Sequence, residues 1–273
     1  MGFDVALGQY VEGKSLLHRL DPRFKLVAAI LYIVAIFLAK NIWAFVVLYA
    51  SALFLIALSG IPLRILLRSM KPLLIIILFT AVINIFWMKG ETLLVDWWIF
   101  HIYLEGIINA FLIVSRIAVL LLVTGVILTY TTTPIALTDG LEQLLAPLKV
   151  LHLPVHEFSM MMTIALRFIP TLVEETGKIM NAQTARGADF SSGSLLDRAK
   201  SLLPILIPLF ISAFRRADEL ATAMECRCYT GGKGRTRMNV LRAAPRDFLF
   251  LLAIAALGAA LILINRFAPG YVL

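Results

Sequence analysis

Apolar runs separated by short polar stretches set the outline of this chain. Four come early, at 26–39, 42–59, 72–88 and 106–128, and a fifth, 248–264, lies near the end. A helix needs about 20 residues, in a range of roughly 17–25, to cross the hydrocarbon core of a bilayer. The pattern predicts an all-α polytopic membrane protein with about five transmembrane helices. The first run is short for that task, but Lys25 and Lys40 at its ends have stems long enough to snorkel. Asp21-Pro22 predicts its start, with aspartate as N-cap and proline at the first helical position.

The interval 131–245 carries another pattern. Positions 141–150 predict a short amphipathic piece, and 155–186 a long helix bent at Pro170. Ser191-Ser192-Gly193 ends it, and Ser194 with Asp197 three residues later predicts a capping-box start for a second long helix. Its first part, 202–214, is apolar but short and holds Pro204 and Pro208, which predicts an interfacial segment and not a span. Further on, Ala217, Leu220, Ala221, Met224 and Cys228 form one face, with Arg215, Arg216, Asp218, Glu219 and Glu225 pointing away. The expected organisation is four spans in 1–130, a cytoplasmic or interfacial helical insert in 131–245 and a last span in 246–273.

Composition agrees with a membrane protein. Of 273 residues, 60% are hydrophobic and 15% charged, against about 45–50% apolar in soluble domains. The net charge of +8 needs no nucleic-acid partner, because basic residues gather on the cytoplasmic side of membrane proteins. Arg19, Arg23 and Lys25 precede the first run, and Arg64, Arg68 and Lys71 fill the loop between the second and third. The opposite loops carry Lys40 alone, and Lys89 offset by Glu91 and Asp96. This places the N-terminus and the insert in the cytoplasm, with Trp43, Trp87, Trp97 and Trp98 at the outer interface. Lys233, Arg235, Arg237, Arg242 and Arg246 then lie against the inner face, where anionic lipid attracts them. The first 23 residues are polar and resemble no signal peptide, and two cysteines make no disulfide framework.

Candidate chemistry is sparse. His152, His156 and Glu157 suggest a helical metal pair, but Pro154 lies between the histidines and no third ligand is near. Cys226 and Cys228 would point to different faces of a helix, and no further cysteine completes a zinc site. The run from Thr230 to Thr236 lacks the spacing of a phosphate loop. The expectation is no catalytic residue, metal or cofactor on this chain, with any ATP hydrolysed elsewhere. Arg116, near the middle of the fourth run, costs roughly 2.5–3.5 kcal/mol on insertion scales. It is either a docking point for a partner or a bundle-internal arginine bonded to carbonyls.

One cassette occurs twice, as Ala185-Arg186-Gly187 and Cys226-Arg227-Cys228. An exposed arginine between small residues can enter a partner's groove, where its planar fork makes several charge-assisted bonds. Arginine before glycine is also an ordinary helix C-cap at the negative end of the dipole. Two cassettes 41 residues apart on consecutive long helices point to a shared task with a twofold or pseudo-twofold partner.

The chain resembles the transmembrane T component of energy-coupling-factor (ECF) vitamin and metal transporters. The resemblance runs nearly end to end. It rests on Gly8-x-Tyr10, Ser15, Leu17-His18-x-Leu20-Asp21-Pro22-Arg23-x-Lys25-Leu26, Thr131-Thr132-Thr133-Pro134, Gly140-Leu141-Glu142, Pro147-Leu148, 165–172 and 183–187. It implies a scaffold in a prokaryotic cell membrane that joins two cytoplasmic ATPase subunits, where ATP and magnesium bind, to a substrate-binding S component. Arg186 and Arg227 would seat in the ATPases, and Cys226-Arg227-Cys228 departs from the family's usual Ala-Arg-Gly. Leu202, Leu206, Leu209, Phe210 and Phe214, with the 141–150 piece, would grip the S component. A permease subunit of a conventional ABC importer is the competing reading, in which one coupling helix per subunit is usual.

Overall fold

A computed structural model describes residues 10–87, 92–97, 100–147, 154–188, 190, 194–231 and 241–267. The helices are α1 (Pro22–Leu38), α2 (Ile42–Ser59), α3 (Leu63–Met70), α4 (Leu74–Trp87), α5 (Leu104–Thr124), α6 (Pro134–Leu144), α7 (Val155–Ala185), α8 (Leu195–Cys226) and α9 (Pro245–Phe267). The protein is an all-α polytopic membrane protein. A small antiparallel hairpin, β1 (Leu93–Trp97) with β2 (Phe100–Tyr103), interrupts the helices before α5. The hydropathy pattern gave no sign of it. The described residues fall into two compact units, one formed by Gly8–Leu141 with Leu241–Leu273 and the other by Glu142–Val240.

Among the described residues, four helical stretches are long and apolar enough to cross a membrane: Ile42–Ser59, Leu63–Trp87, Leu104–Thr129 and Pro245–Phe267. α1, the predicted first span, has 17 residues and sits at the lower end of the spanning range. The stretch expected as a loop around Arg64, Arg68 and Lys71 is helical, since α3 and a 3₁₀ turn run directly into α4. α6 begins at Pro134, earlier than the expected 141–150 piece, of which 148–150 lies outside the described residues. The cause is a start signal at Thr133-Pro134: the Thr133 hydroxyl accepts from Ala136 N–H at 3.3 Å and proline takes the first helical position.

The membrane core is built from α1, α2, α5 and α9. Ala28, Ala29 and Ala35 of α1, with Ala39 at its C-cap, are buried in one cluster with Ala44, Leu48 and Ala52 of α2, Val119 and Val123 of α5, and Ile254 and Leu261 of α9. Small residues let helix backbones approach closely where lipid removes the hydrophobic drive for association. α4 presents Ile75, Leu78 and Phe79 outward, as lipid contact requires. Trp43 and Trp87 are exposed at helix ends, while Trp98 and the Trp97 side chain lie outside the described residues.

A polar knot ties one end of this bundle. Asp21 caps α1 by accepting from Arg23 N–H at 2.9 Å and pairs with the Arg23 guanidinium at 3.0 Å. Asp247, at the start of α9, accepts from Asp21 N–H at 3.1 Å and Ala244 N–H at 2.7 Å. Lys25 does not snorkel. It is 1% exposed and donates to Thr131 O at 2.9 Å, Thr131 Oγ1 at 3.2 Å and Thr132 Oγ1 at 2.8 Å. A π-turn over Gly125–Thr129, closed by Tyr130 N–H to Gly125 O at 2.9 Å, brings these threonines to it.

Gly140 of α6 abuts the start of α1. A Cβ there would lie 3.0 Å from Pro22 Cβ and 3.3 Å from the Arg23 backbone nitrogen, atoms with little freedom to yield. Gly140→Val is therefore expected to cost about 1–3 kcal/mol as overpacking, read as a lower thermal midpoint in detergent. An unchanged midpoint would show that α6 can shift freely.

Candidate functional site

The arginine cassettes share one backbone geometry. In the first, Arg186 is the C-cap of α7 and Gly187 takes φ +89°. Gly187 N–H donates to Thr184 O at 2.9 Å and Ala188 N–H to Gln183 O at 3.0 Å. In the second, Arg227 caps α8 and Cys228 takes φ +54°. Cys228 N–H donates to Glu225 O at 2.8 Å and Tyr229 N–H to Met224 O at 3.0 Å. Both are Schellman motifs, with paired 6→1 and 5→2 bonds. Ala185, Arg186, Gly187, Cys226, Arg227 and Cys228 are all exposed, and Cys226 and Cys228 are free thiols.

Helix ends closed by their own backbone leave each arginine side chain unemployed in capping. The C-cap reading and the docking reading are thus compatible: the cap fixes where the arginine projects. The departure at position 228 leaves the helix ending intact. It places a side chain in the left-handed region, where, among the described residues, every other positive φ belongs to glycine. That conformation costs an L-residue roughly 1–2 kcal/mol. Cys228→Gly is expected to raise stability of the α8 end by about 1 kcal/mol, read as slower amide exchange at 226–229. Unchanged exchange would argue that the cysteine carries no strain.

The stripe predicted on α8 needs two corrections. Cys228 lies beyond the helix end and does not continue it. Arg216 does not point away. It lines a groove of about 250 Å³ with Ala217, Leu220, Ala221 and Met224 of α8 and Phe168 and Leu172 of α7, and its guanidinium pairs with Glu175 of α7. The helices are antiparallel, because Gln183 of α7 donates to Pro204 O while Glu175 accepts from Ser212 Oγ at 3.0 Å. Arg216 and Ser212 hold the Glu175 carboxyl below the usual carboxylate range. Glu175 was missed in the sequence because a glutamate on an amphipathic helix reads as a solvated face.

α8 is continuous through Pro204 and Pro208. Leu202, Leu206, Phe210 and Phe214 are exposed on it and Leu209 is half-buried. Leu206, Leu209 and Phe210 also line a second groove of about 460 Å³ with Leu172. Ser194 caps α8 through Leu196 N–H at 3.3 Å, while the Asp197 side chain and 191–193 lie outside the described residues. Pro170 lies inside α7.

Arg116 is internal to the bundle. Its Nη2 donates to Ala39 O at 2.9 Å and its guanidinium lies 5.6 Å from the Phe45 ring centroid. His156 pairs with Glu142 at 3.2 Å, and His152 lies outside the described residues, as do Lys89, Glu91, Lys233, Arg235 and Arg237. Among the described residues no cluster of three metal-ligating side chains occurs.

Residues 13–238 match the family described as CbiQ, cobalt transport protein. The chain is 54% identical over 246 residues to the energy-coupling factor transporter transmembrane protein EcfT of Ruminiclostridium cellulolyticum, covering 90% of this chain and 91% of that one. It is 53% identical to EcfT of Acidaminococcus fermentans, covering 93% and 94%. It is 46% identical to EcfT of Bacillus subtilis, covering 93% and 96%. These relatives are named as transporter transmembrane components and not as enzymes. A membrane bundle carrying two matching helix ends, and identity of this extent, lead to one conclusion: the chain belongs to the CbiQ/EcfT family of energy-coupling factor transporter transmembrane proteins.

Proposed function

We propose that this chain is the scaffold of an ECF-type importer, joining two cytoplasmic ATPase subunits to a membrane-embedded S component. The observation that carries the reading is the recurrence of one Schellman cap, with one exposed arginine, at the ends of both long helices. Two equivalent anchors suit two equivalent subunits. The N-terminus and 131–245 face the cytoplasm, following the basic residues. ATP and magnesium bind on the partners, and the chain itself takes no cofactor. Nucleotide-driven closure of the ATPases moves the two arginine ends. The exposed apolar residues Leu202, Leu206, Phe210 and Phe214 pass that motion to the S component, which selects the vitamin or metal carried.

The test is purification of the tagged chain from its own membrane in mild detergent, with its companions identified by mass. Two ATP-binding chains and one small membrane protein support the proposal. A chain that purifies alone overturns it.

A further inference from the structure

We propose that α3 binds the phosphate headgroups of anionic phospholipids, with Arg64, Arg68 and Lys71 as its cationic face. The inference goes beyond the scaffold reading and does not rest on it.

The sequence suggests a loop for these three cations, but they stand on a helix and its C-cap. Spacings of four and seven residues return to one side of a helix, so the three fall within an arc of about 60° at 100° per residue. All three are exposed. Among the described residues none of them enters an ion pair or donates a side-chain hydrogen bond. No aspartate or glutamate occurs between Asp21 and Glu91, so α1 to α4 carry no counter-charge of their own. Like charges four apart on a helix repel. Anions settling on this face would remove that repulsion.

The level of α3 selects the source of the anions. Leu66 is 1% exposed and shares a buried cluster with Leu17 and Leu20 before α1, Ile56 and Ile61 around the end of α2, and Val126 and Tyr130 just after α5. α3 therefore sits where three apolar helices begin or end, which marks a membrane boundary. Leu63 and Leu67 are 59% and 63% exposed, as suits a helix that meets lipid. The stretch Leu63–Trp87 has 25 residues, about 37 Å of helix against roughly 30 Å of hydrocarbon. That surplus puts the first turns of α3 among headgroups. Helical side chains lean toward the N-terminus and long cationic stems snorkel, so Arg68 and Lys71 reach back toward the level of Arg64.

Arginine forks match phosphate oxygens two at a time, and lysine adds a point charge. The exposed leucines beside the arc offer cover to the upper part of an acyl chain, for which a free phosphate has no use. Cations and leucines together fit a phospholipid.

The test places the full chain, with Cys226→Ser, Cys228→Ser and a bimane fluorophore on Leu74→Cys, in phosphatidylcholine nanodiscs. A nitroxide high on the acyl chain quenches the fluorophore, carried by phosphatidylglycerol in one set and by phosphatidylcholine in the other. Each cation near an anionic surface contributes about five-fold in affinity, so half-quenching is expected at a mole fraction of phosphatidylglycerol lower by about five-fold or more. With Arg64→Gln, Arg68→Gln and Lys71→Gln together, the two lipids are expected to quench alike. A fluorophore on Trp87→Cys, at the other end of α4, is expected to show no preference. Inorganic phosphate, against sodium chloride of equal ionic strength, is expected to leave the preference at Leu74→Cys in place. Should the triple variant not fold, Arg64→Gln and Arg68→Gln singly carry the test, each expected to cut the preference about two-fold or more. Equal quenching by both lipids in the chain with its three cations, or a preference that survives their removal, would overturn the proposal. So would an equal preference at Trp87→Cys, which would reflect the membrane at large. Loss of the preference to inorganic phosphate would overturn it in favour of a soluble ligand.

Discussion

A chain carrying Arg186→Glu and Arg227→Glu together is expected to purify without the ATPase subunits of the proposed complex while remaining folded in the membrane. The two side chains are exposed, and the caps that end their helices use only backbone groups of 183–188 and 224–229. Neither substitution removes a folding contact seen at these positions. A buried interface arginine of the hot-spot class contributes on the order of 2 kcal/mol, so each loss weakens docking about 30-fold. Both together weaken it nearly a thousand-fold if the sites act independently, about the margin that separates a complex that survives purification from one that does not. A glutamate near the negative end of a helix costs only about 0.3–1 kcal/mol locally. The paired Arg186→Gln and Arg227→Gln variant removes that repulsion and should still lose the ATPases. Retention of both ATPases in the glutamine variant would move the interface elsewhere.

Replacing Lys25 by methionine is expected to be the most destabilising single change of comparable size. The ammonium has three donors, and all three find oxygens on Thr131 and Thr132. Its charge also attracts the buried Asp247 carboxylate, which receives the Asp21 and Ala244 amides. Methionine fills much the same volume but takes the ammonium donor away from the Thr131 carbonyl and the Thr132 hydroxyl, leaving Thr131 Oγ1 only its bond to Ile127 O, and leaves the carboxylate without that cation. Removing one partner from a buried charged arrangement costs about 3–5 kcal/mol, which for a chain of this size lowers the thermal midpoint by roughly 6–20 °C. Lys200→Met, at an exposed position of α8, serves as the control and should leave the midpoint in place. A Lys25→Met chain as stable as the unsubstituted one would show that the knot is held by the Asp21 and Asp247 caps alone.

These two predictions fall on features of different legibility. The cassettes were visible in the sequence because a helix end needs only local information. An amphipathic run, an arginine and a glycine suffice to place Arg186 at a C-cap. The second cap was less plain, since Cys228 is an unusual residue for a left-handed conformation, and its 6→1 and 5→2 bonds had to be seen to equate it with the first. Lys25 was misread. Next to an apolar run a lysine is expected to reach for water, and nothing near it in the chain reveals acceptors that lie 106 and 107 positions away. The same limit applies to Glu175 and Arg216, which each sit on helices whose charged faces read as solvated.

Hydropathy and its period determined the all-α class, the apolar segments and the two long helices, because lipid demands internally bonded backbone and a minimum apolar length. Charge asymmetry determined an expected orientation, and start signals such as Asp21-Pro22 determined where α1 begins. The motifs along nearly the whole chain determined the family. Tertiary structure alone decided that Arg116 turns into the bundle, that Lys25 is buried, and that α7 and α8 run antiparallel with one polar cluster midway between their arginine ends. Those features depend on which distant segments meet. Sequence periodicity states which face of a helix wants a neighbour, but not which neighbour arrives.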